Sequence, residues 1–446
     1  MRSIPQFLIA APTSGSGKTT VSRGLMALLA KKGLKVQPFK CGPDYIDTKY
    51  HTAVCGRPSI NLDTFMASGE HVRELYARHA VDADVCIAEG MMGMFDGYDR
   101  DKGSSAEIAA LLHLPVILVV DAKSAAYSMA PLLSGFIHFR PEIRIAGVIF
   151  NRVGSPRHYE MLREVCADLN VTCLGYLSKS KSLEQDSRYL GLDFSQSKGT
   201  DAIDILTDLL EQHVDWELLL EKTTLPLPEK PVEKVSEVPR TLHILVARNE
   251  ESFSFLYEEH LEILQRMGTV SFFNPEHNLP VPPHVDLLYL PGGYPEKHSD
   301  ALSKAGCTLT SVRDYIDNGG KVLAECGGMI YLSCAIDYDN EQPASGEMEN
   351  WCVSVPMAGI FPFCISNRKS RRKLTLGYRR FDYNGEHLRG HEFHYTQLTG
   401  TIPLSVAQVY NAKGQPADTP VFRYKNVIAS YMHLYWGEVE LMRLFE

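Results

Sequence analysis

Near-continuous apolar runs, alternating with helical stretches, constrain this chain more than any other feature. The segments FLIAA (7–11), VCIAE (85–89), VILVVD (116–121) and IAGVIFN (145–151) are apolar almost throughout. A strand that is apolar at every position has both faces covered, and helices between such strands supply the cover of a parallel sheet. Helices are expected near 18–32 and 104–113, with a further strand, VQPF, at 36–39. The same grammar restarts at LHILVA (242–247) and continues through a helix near 257–267, VSFF (270–273), DLLYL (286–290), a helix near 299–318 and KVLAE (321–325). Residues 222–240 (KTTLPLPEKPVEKVSEVPR) set Pro226, Pro228, Pro231 and Pro239 among charges with no helical or strand period. Such a segment is extended and poorly packed, and it reads as a linker. At 446 residues the chain exceeds one ordinary core. The expected fold is α/β, with two doubly wound domains at 1–221 and 241–446 joined by the linker at 222–240.

Composition narrows the partners. Lys and Arg number 45 against 54 Asp and Glu, a net charge of −9, which argues against a general nucleic-acid or acidic-membrane surface. No apolar run approaches the ~20 residues that span a bilayer. The apolar start at 7–11 runs straight into Gly15, Ser16, Gly17 and Lys18 instead of a cleavage site, so it reads as a first strand and not a signal core. The ten cysteines, at 41, 55, 86, 166, 173, 307, 326, 334, 352 and 364, form no C-x-x-C pair. That is reduced, cytoplasmic usage without a disulfide framework or zinc spacing.

The first strand ends in APTSGSGKTT (11–20) and opens a helix. Small residues such as Gly15, Ser16 and Gly17 let backbone N–H groups curl around phosphate oxygens, and the helix N-terminus adds partial positive charge. Lys18 is placed to reach the β/γ-phosphates, Thr19 to offer a hydroxyl to Mg²⁺, and Thr20 continues the cradle. Pro12 stands where the usual phosphate-loop pattern begins with Gly. A bound nucleotide needs hard oxygen ligands for its cation. Asp44 and Asp47 in KCGPDYID (40–47), Glu89 at the end of VCIAE, and Asp96 in GMMGMFDG (90–97) supply carboxylates just beyond predicted strands, where open α/β sheets bind ligands. The alternative for each is a loop-capping role.

In the second half, Cys326 follows the KVLAE strand and precedes Gly327, Gly328 and an apolar helical run, MIYL. A strand-to-helix corner exposes a nucleophile and aims the helix dipole at it. PGGYP (291–295) ends the preceding strand and offers backbone N–H groups, with Gly293 and Gly327 as the expected oxyanion hole. His433, in SYMH (430–433), offers a base. Cysteine, histidine and a Gly-rich donor loop on one sheet edge are equipment for acyl transfer.

These segments, with FKCGPDYIDTKYH (39–51), GRPSINLD (56–63), AEGMMGMFDG (88–97), IFNRVGSPRH (149–158), YLPGGYPE (289–296), LAECGGMIYL (323–332), GHEFHY (390–395) and ASYMHLY (429–435), resemble the cobyrinic acid a,c-diamide synthase family. They occur in the family's order along nearly the whole chain. The resemblance implies a dethiobiotin-synthetase-like P-loop synthetase domain followed by a class I glutamine amidotransferase domain of flavodoxin-like fold. It implies glutamine hydrolysis at Cys326 with His433 as base. It further implies ATP- and Mg²⁺-dependent activation of the a and c acetate carboxylates of a corrin as acyl phosphates, which ammonia then displaces. By position, Lys18 and Thr19 match the phosphate and Mg²⁺ residues. Asp44, Asp47 and Glu89 match the acidic metal site, Tyr45 and Asp96 the substrate or acyl-phosphate site, and Asn151 the place where related folds read adenine. The partners so implied are a corrin polycarboxylate and L-glutamine, with neither nucleic acid nor membrane. A homodimer is an assembly the resemblance allows.

Departures from the family pattern are local. Tyr435 stands where class I amidotransferases usually carry the Glu of His-x-Glu, which leaves open what orients the imidazole. Leu177-Ser178-Lys179 replaces the common Leu-Pro-Arg, and QDSRYLGL (185–192) keeps Arg188 but has Tyr189 in place of His. GHEFHY reads as a packed, hydrogen-bonded face more readily than as a metal pair. The basic run RKSRRK (368–373) reads as a solvated loop or a domain contact, or as a contact for corrin carboxylates. Competing readings are the same amidation on hydrogenobyrinic acid or a nickel sirohydrochlorin, and a related cobyric acid synthase. From another class, a partitioning-type ATPase shares the loop but carries an extra early Lys that Thr13-Ser14-Gly15-Ser16 lacks.

Overall fold

The computed structural model describes residues 2–179, 198–229, 241–339 and 352–446. Two compact units emerge, Met1–Lys234 and Val235–Glu446. The first is built on β1 (Ser3–Ala10), β2 (Val36–Cys41), β3 (Ile60–Leu62), β4 (Val85–Glu89), β5 (Val116–Asp121), β6 (Ile145–Val153) and β7 (Cys173–Ser178). These strands are parallel in the order β3-β2-β4-β1-β5-β6-β7. The chain winds outward through β2 to β3, returns to insert β4 between β2 and β1, and then crosses to β5 on the other side of β1. The C-terminal ends of β1 and β4 therefore face the crevice where such sheets bind ligands. Helix α1 (Lys18–Lys31) follows β1 and packs Leu25, Leu28 and Leu29 into a core with Ile9, Ile117, Ile149, Leu206 and Leu210.

The linker expectation starts too early. Lys222 and Thr223 end a helix at Trp216–Thr223, and β8 (Thr224–Pro226) pairs antiparallel with β1, Ile4 facing Leu225. Residues 3–5 of β1 lie before its pairing with β4 and β5 begins, so their backbone groups need a partner. The Gln6 amide adds hydrogen bonds to the carbonyls of Leu225 and Pro226, each 3.1 Å. Proline is tolerated in such an edge strand, so the prolines at this end of the segment do not mark unstructured chain. Residues 230–240 of the expected linker, and the 185–192 segment, lie outside the described residues.

In the second unit β9 (Leu242–Ala247), β10 (Gly268–Phe273), β11 (Leu287–Leu290), β12 (Val322–Glu325), and later β21 (Val421–Tyr424) and β22 (Val427–Ser430), form a sheet ordered β10-β9-β11-β12-β22-β21. It is parallel except for its β21 edge. Both faces are buried: Leu288 and Leu290 join one core cluster, while Leu287 and Tyr289 join the other. The helix expected near 299–318 is two, Ser299–Lys304 and Gly306–Asp317. Two further sheets were not anticipated. One is β14-β13-β15-β18, from Ala335–Asp339 (β13), Cys352–Pro356 (β14), Phe363–Ser366 (β15) and Gln397–Gly400 (β18). The other is β20-β19-β16-β17-β23, from Thr375–Tyr383 (β16), Glu386–His394 (β17), Val409–Asn411 (β19), Pro416–Ala417 (β20) and Met432–Tyr435 (β23). Among the described residues no helix is long and apolar enough to cross a membrane.

Candidate active sites

In the first unit the loop after β1 closes on glycine geometry. Gly17 caps α1 with φ 95°, and a Cβ there would lie 2.0 Å from Asn151 Nδ2. Only glycine fits that approach. The Asn151 amide donates to the Ser16 carbonyl at 2.9 Å, and its oxygen accepts from Arg152 N. Asn151, at the end of β6, thus braces the loop from the neighbouring strand. A cavity of about 460 Å³ opens there, lined by Gly15, Gly17, Lys18, Thr19, Thr20, Asn151 and, across it, Lys40, Asp44, Asp47 and Met92.

The centre of the acidic group is a cation that the sequence reading missed. Lys40, ending β2 and 3% exposed, donates to Asp47 Oδ2 at 2.6 Å and Glu89 Oε1 at 3.1 Å, with Asp44 Oδ2 at 3.8 Å. Glu89, 0% exposed, also accepts from Thr19 Oγ1 at 2.5 Å, and its second oxygen lies 2.8 Å from His51 Nε2. Burial opposes charge on Glu89, but Lys40 and the hydrogen bonds of His51 and Thr19 outweigh it and hold the carboxyl well below its usual range. Burial likewise opposes the Lys40 ammonium, and Glu89, Asp47 and Asp44 keep it protonated. Burial and the charge of Glu89 push the Asp47 carboxyl up to about 6, against the pull of Lys40. Lys18 donates to the Met92 carbonyl at 2.9 Å, and burial, then Lys40, lowers its pKa.

In the second unit Cys326 sits on a strained corner, φ 45° and ψ −101°, directly after β12. A non-glycine residue there stores about 1–3 kcal/mol, which the surroundings must hold. Its N–H donates to the Ser430 carbonyl at 2.7 Å, tying the corner to the end of β22. Just before it, the buried Glu325 accepts from Tyr289 Oη (2.8 Å), Leu434 N (3.3 Å) and Trp436 Nε1 (3.3 Å), joining β11, β12 and β23. Burial pushes that carboxyl up to about 8. The two glycines of the donor loop touch both halves of the site. A Cβ on Gly292 would lie 2.2 Å from His433 Cε1, whereas a Cβ on Gly327 would lie 2.8 Å from Gly293 N. His433 is buried, between Phe255 (rings 5.8 Å apart) and His391 (6.2 Å). Burial, then the charges of His391 and His394, pushes its pKa down, so the imidazole is a neutral base. Burial, then the charge of Glu296, raises the Cys326 thiol.

Two family models match these halves: a CobQ/CobB/MinD/ParA nucleotide binding domain over residues 7–191, and a CobB/CobQ-like glutamine amidotransferase domain over residues 243–440. Cobyrinate a,c-diamide synthase of Caldanaerobacter subterraneus subsp. tengcongensis is 38% identical, covering 96% of this chain and 94% of its own. Hydrogenobyrinate a,c-diamide synthase of Brucella abortus is also 38% identical, over 96% of this chain and 98% of its own. Cobyrinate a,c-diamide synthase of Listeria monocytogenes is 35% identical, over 97% and 96%. The chain belongs to the a,c-diamide synthase family.

Within this family frame the expected residues divide. Thr19, Asp44 and Asp47 line the nucleotide cavity; Glu89 lies beneath it, engaged on both oxygens. Asp44 Oδ1 accepts from Ile46 N and Asp47 N, so it also caps helix α2 (Asp47–Cys55). Asp96 accepts from Gly93 N at 3.0 Å and closes its own turn; neither it nor the buried Tyr45 lines the cavity. Among the described residues no group of three or more His, Cys, Asp or Glu converges on a metal position. Thr19 Oγ1 and the Asp47 carboxylate are nonetheless hard oxygen donors beside the phosphate loop. They suit a Mg²⁺ that keeps waters and takes its other ligands from a nucleotide. Position 435 carries its own carboxylate link, because the Tyr435 hydroxyl donates to buried Glu259. GHEFHY is a packed face: Glu392 pairs with His394 (2.9 Å), Arg379 (2.8 Å) and Thr419 (2.7 Å). A lysine ending an apolar strand, Lys40, was the available signal for the missed cation; His51 gave none beyond its place in the family motif.

Two outcomes follow from this geometry. Lys40→Met strips the counter-charge from Glu89 and Asp47 and should cost about 3–5 kcal/mol of stability near neutral pH. In the native protein the depressed Glu89 stabilises above its unfolded pKa, and this is lost as pH falls through its folded value. The raised Asp47 stabilises below its unfolded pKa, and this is lost as pH rises through about 6. Without Lys40 both carboxyls bind protons more readily, so the deficit in urea unfolding should shrink between about pH 8 and about pH 5. A deficit independent of pH would mean that Lys40 only packs. Separately, Gly292→Ala forces the His433 ring aside and should lower glutaminase kcat by about 10²-fold. Unchanged glutaminase turnover would show that the ring has room to spare.

Proposed function

We propose that this chain makes two amides on a corrin polycarboxylate, the a and c acetates of cobyrinic acid, at the cost of ATP and L-glutamine. The observation that carries the reading is the presence, in one chain, of a phosphate cradle beside a buried Lys–carboxylate group and, in the second unit, of a thiol on a strained corner whose glycine loop packs against the buried His433 ring. The names borne by the relatives support the macrocycle.

In the glutaminase half, the Cys326 sulfur attacks the side-chain amide carbon of glutamine while its proton passes to His433 Nε2. The N–H groups of Gly293 and Gly327 hold the developing oxyanion. His433 returns the proton to the departing nitrogen, ammonia leaves, and water releases glutamate from the thioester. Burial pushes the thiol up, so His433 is needed to take its proton as the sulfur attacks.

In the synthetase half, a carboxylate at neutral pH is a poor electrophile and needs a leaving group. Its oxygen attacks the terminal phosphorus of ATP, the bond to ADP breaks, and ammonia then displaces phosphate from the acyl phosphate. Lys18 and the N–H groups of residues 15–19 take the phosphoryl charge. Mg²⁺, held by Thr19 and Asp47, supplies further neutralisation when bound. Lys40 lines the cavity and is placed to pair with the incoming carboxylate or its phosphoryl oxygens. Ten free thiols fit a reducing cytoplasm as the place of action.

Mass spectrometry of cobyrinic and hydrogenobyrinic acids incubated with ATP, Mg²⁺ and glutamine tests the substrate. Two acid-to-amide conversions on cobyrinic acid are expected, and no conversion on either macrocycle would overturn the reading. The same assay separates the halves. Cys326→Ala should lose synthesis from glutamine but keep it from ammonium salts at high pH. Lys18→Ala should lose about 10²–10³-fold with either nitrogen source. Glutamine use by Cys326→Ala would place the nucleophile elsewhere.

A further inference from the structure

The thiol and the imidazole engage only the amide end of glutamine. The other end carries an ammonium and a carboxylate on one carbon, and a protein that selects it needs an anion and a cation side by side near the thiol. The loop that carries Gly293 continues into Pro295 and Glu296. Pro295 presses against the corner, its Cδ 3.0 Å from where a Cβ on Gly327 would stand. Glu296 is the next residue, and the Tyr338 hydroxyl donates to its carbonyl at 2.6 Å. Its carboxylate oxygen Oε2 is buried and has no hydrogen-bond partner among the described residues. Leaving such a group unpartnered is costly, and a ligand cation removes the cost.

A cation is held by the same strand, β13, that holds the Glu296 loop. Arg372, in the basic run at 368–373, is fixed by its Nε–H to Asn367 Oδ1 at 3.0 Å and by its backbone N–H to the Arg368 carbonyl at 3.0 Å. Asn367 N in turn donates to the Asp337 carbonyl at 2.8 Å. Asp337 and Tyr338 are consecutive in β13, so one strand holds the Arg372 turn and the Glu296 loop together. The terminal guanidinium nitrogens of Arg372 have no hydrogen bond or ion pair among the described residues. The other cations nearby are committed: His394 to Glu392, and Lys297 over the Tyr294 ring at 4.2 Å. Burial pushes the Glu296 carboxyl up, with Lys297, Arg372 and His394 pulling the other way, and Glu296 acts on the Cys326 thiol, so these groups share one neighbourhood.

We propose that Glu296 binds the α-ammonium of L-glutamine and Arg372 its α-carboxylate, a clamp that makes the thiol selective for a free amino acid over other primary amides. The inference rests on the reading that glutamine is cleaved at Cys326. It is tested on the full chain with L-glutamine, with 5-amino-5-oxopentanoate, which lacks the α-ammonium, and with 4-aminobutanamide, which lacks the α-carboxylate. For the unaltered protein each analogue should lose about 10- to 100-fold in kcat/KM. Glu296→Gln should raise KM for glutamine by a similar factor and abolish discrimination against 5-amino-5-oxopentanoate alone. Arg372→Ala, at an exposed position that folding tolerates, should abolish discrimination against 4-aminobutanamide alone. Variants that keep the full penalty for each analogue would overturn the clamp while leaving cleavage at Cys326 intact. Glutamine use by Cys326→Ala would instead overturn the reading beneath it.

Discussion

A single ammonium buried among carboxylates sets the terms for the first unit. Lys40 neutralises Glu89 and Asp47 where the strands end, and without it the apolar sheet would hold uncompensated charge in its crevice. Its presence lets Glu89 remain ionised at no solvent exposure, and Glu89 in turn fixes the Thr19 hydroxyl and the His51 ring. The phosphate loop is thus positioned from below by electrostatics and from the side by Asn151. Neither support comes from the loop itself, whose small residues have few side-chain atoms with which to hold a shape.

The second unit solves a different problem, holding a strained corner without exposing it. Glu325 is the counterpart of Lys40 there: a buried polar group on β12 that accepts from donors on β11 and at the end of β23 and links those strands. The Gly292–Gly293 pair completes the fit, because one glycine yields space to the imidazole and the next lies against the corner. Packing against the Gly292 backbone, Phe255 and His391 confines the His433 ring, and Tyr435 at the family's acid position is tied to Glu259.

Much of this was legible in the residues. Apolar runs located β1, β4, β5, β6, β9, β11 and β12 because a strand buried on both faces has no freedom to carry polar residues. The strand-to-helix corners carrying Gly17-Lys18 and Cys326 were legible because an apolar run meets a Gly-rich turn there. What escaped was of another kind. The sheets containing β13 to β20 are half-exposed and antiparallel apart from the β13–β15 pair, with mixed patterns; β16, for example, buries only Tyr378 and Phe381. Lys40 escaped because burial of a charge is decided by partners distant in sequence, Glu89 being 49 residues away. Pro226 misled because an edge strand and an unstructured linker tolerate the same residue.

The pairing of β8 with β1 has a topological consequence. Ser3 lies opposite Pro226, so the first unit begins and ends on adjacent antiparallel strands. A chain whose ends meet in this way is a closed module. The polypeptide can be joined across that point and opened at another surface turn without unthreading any element.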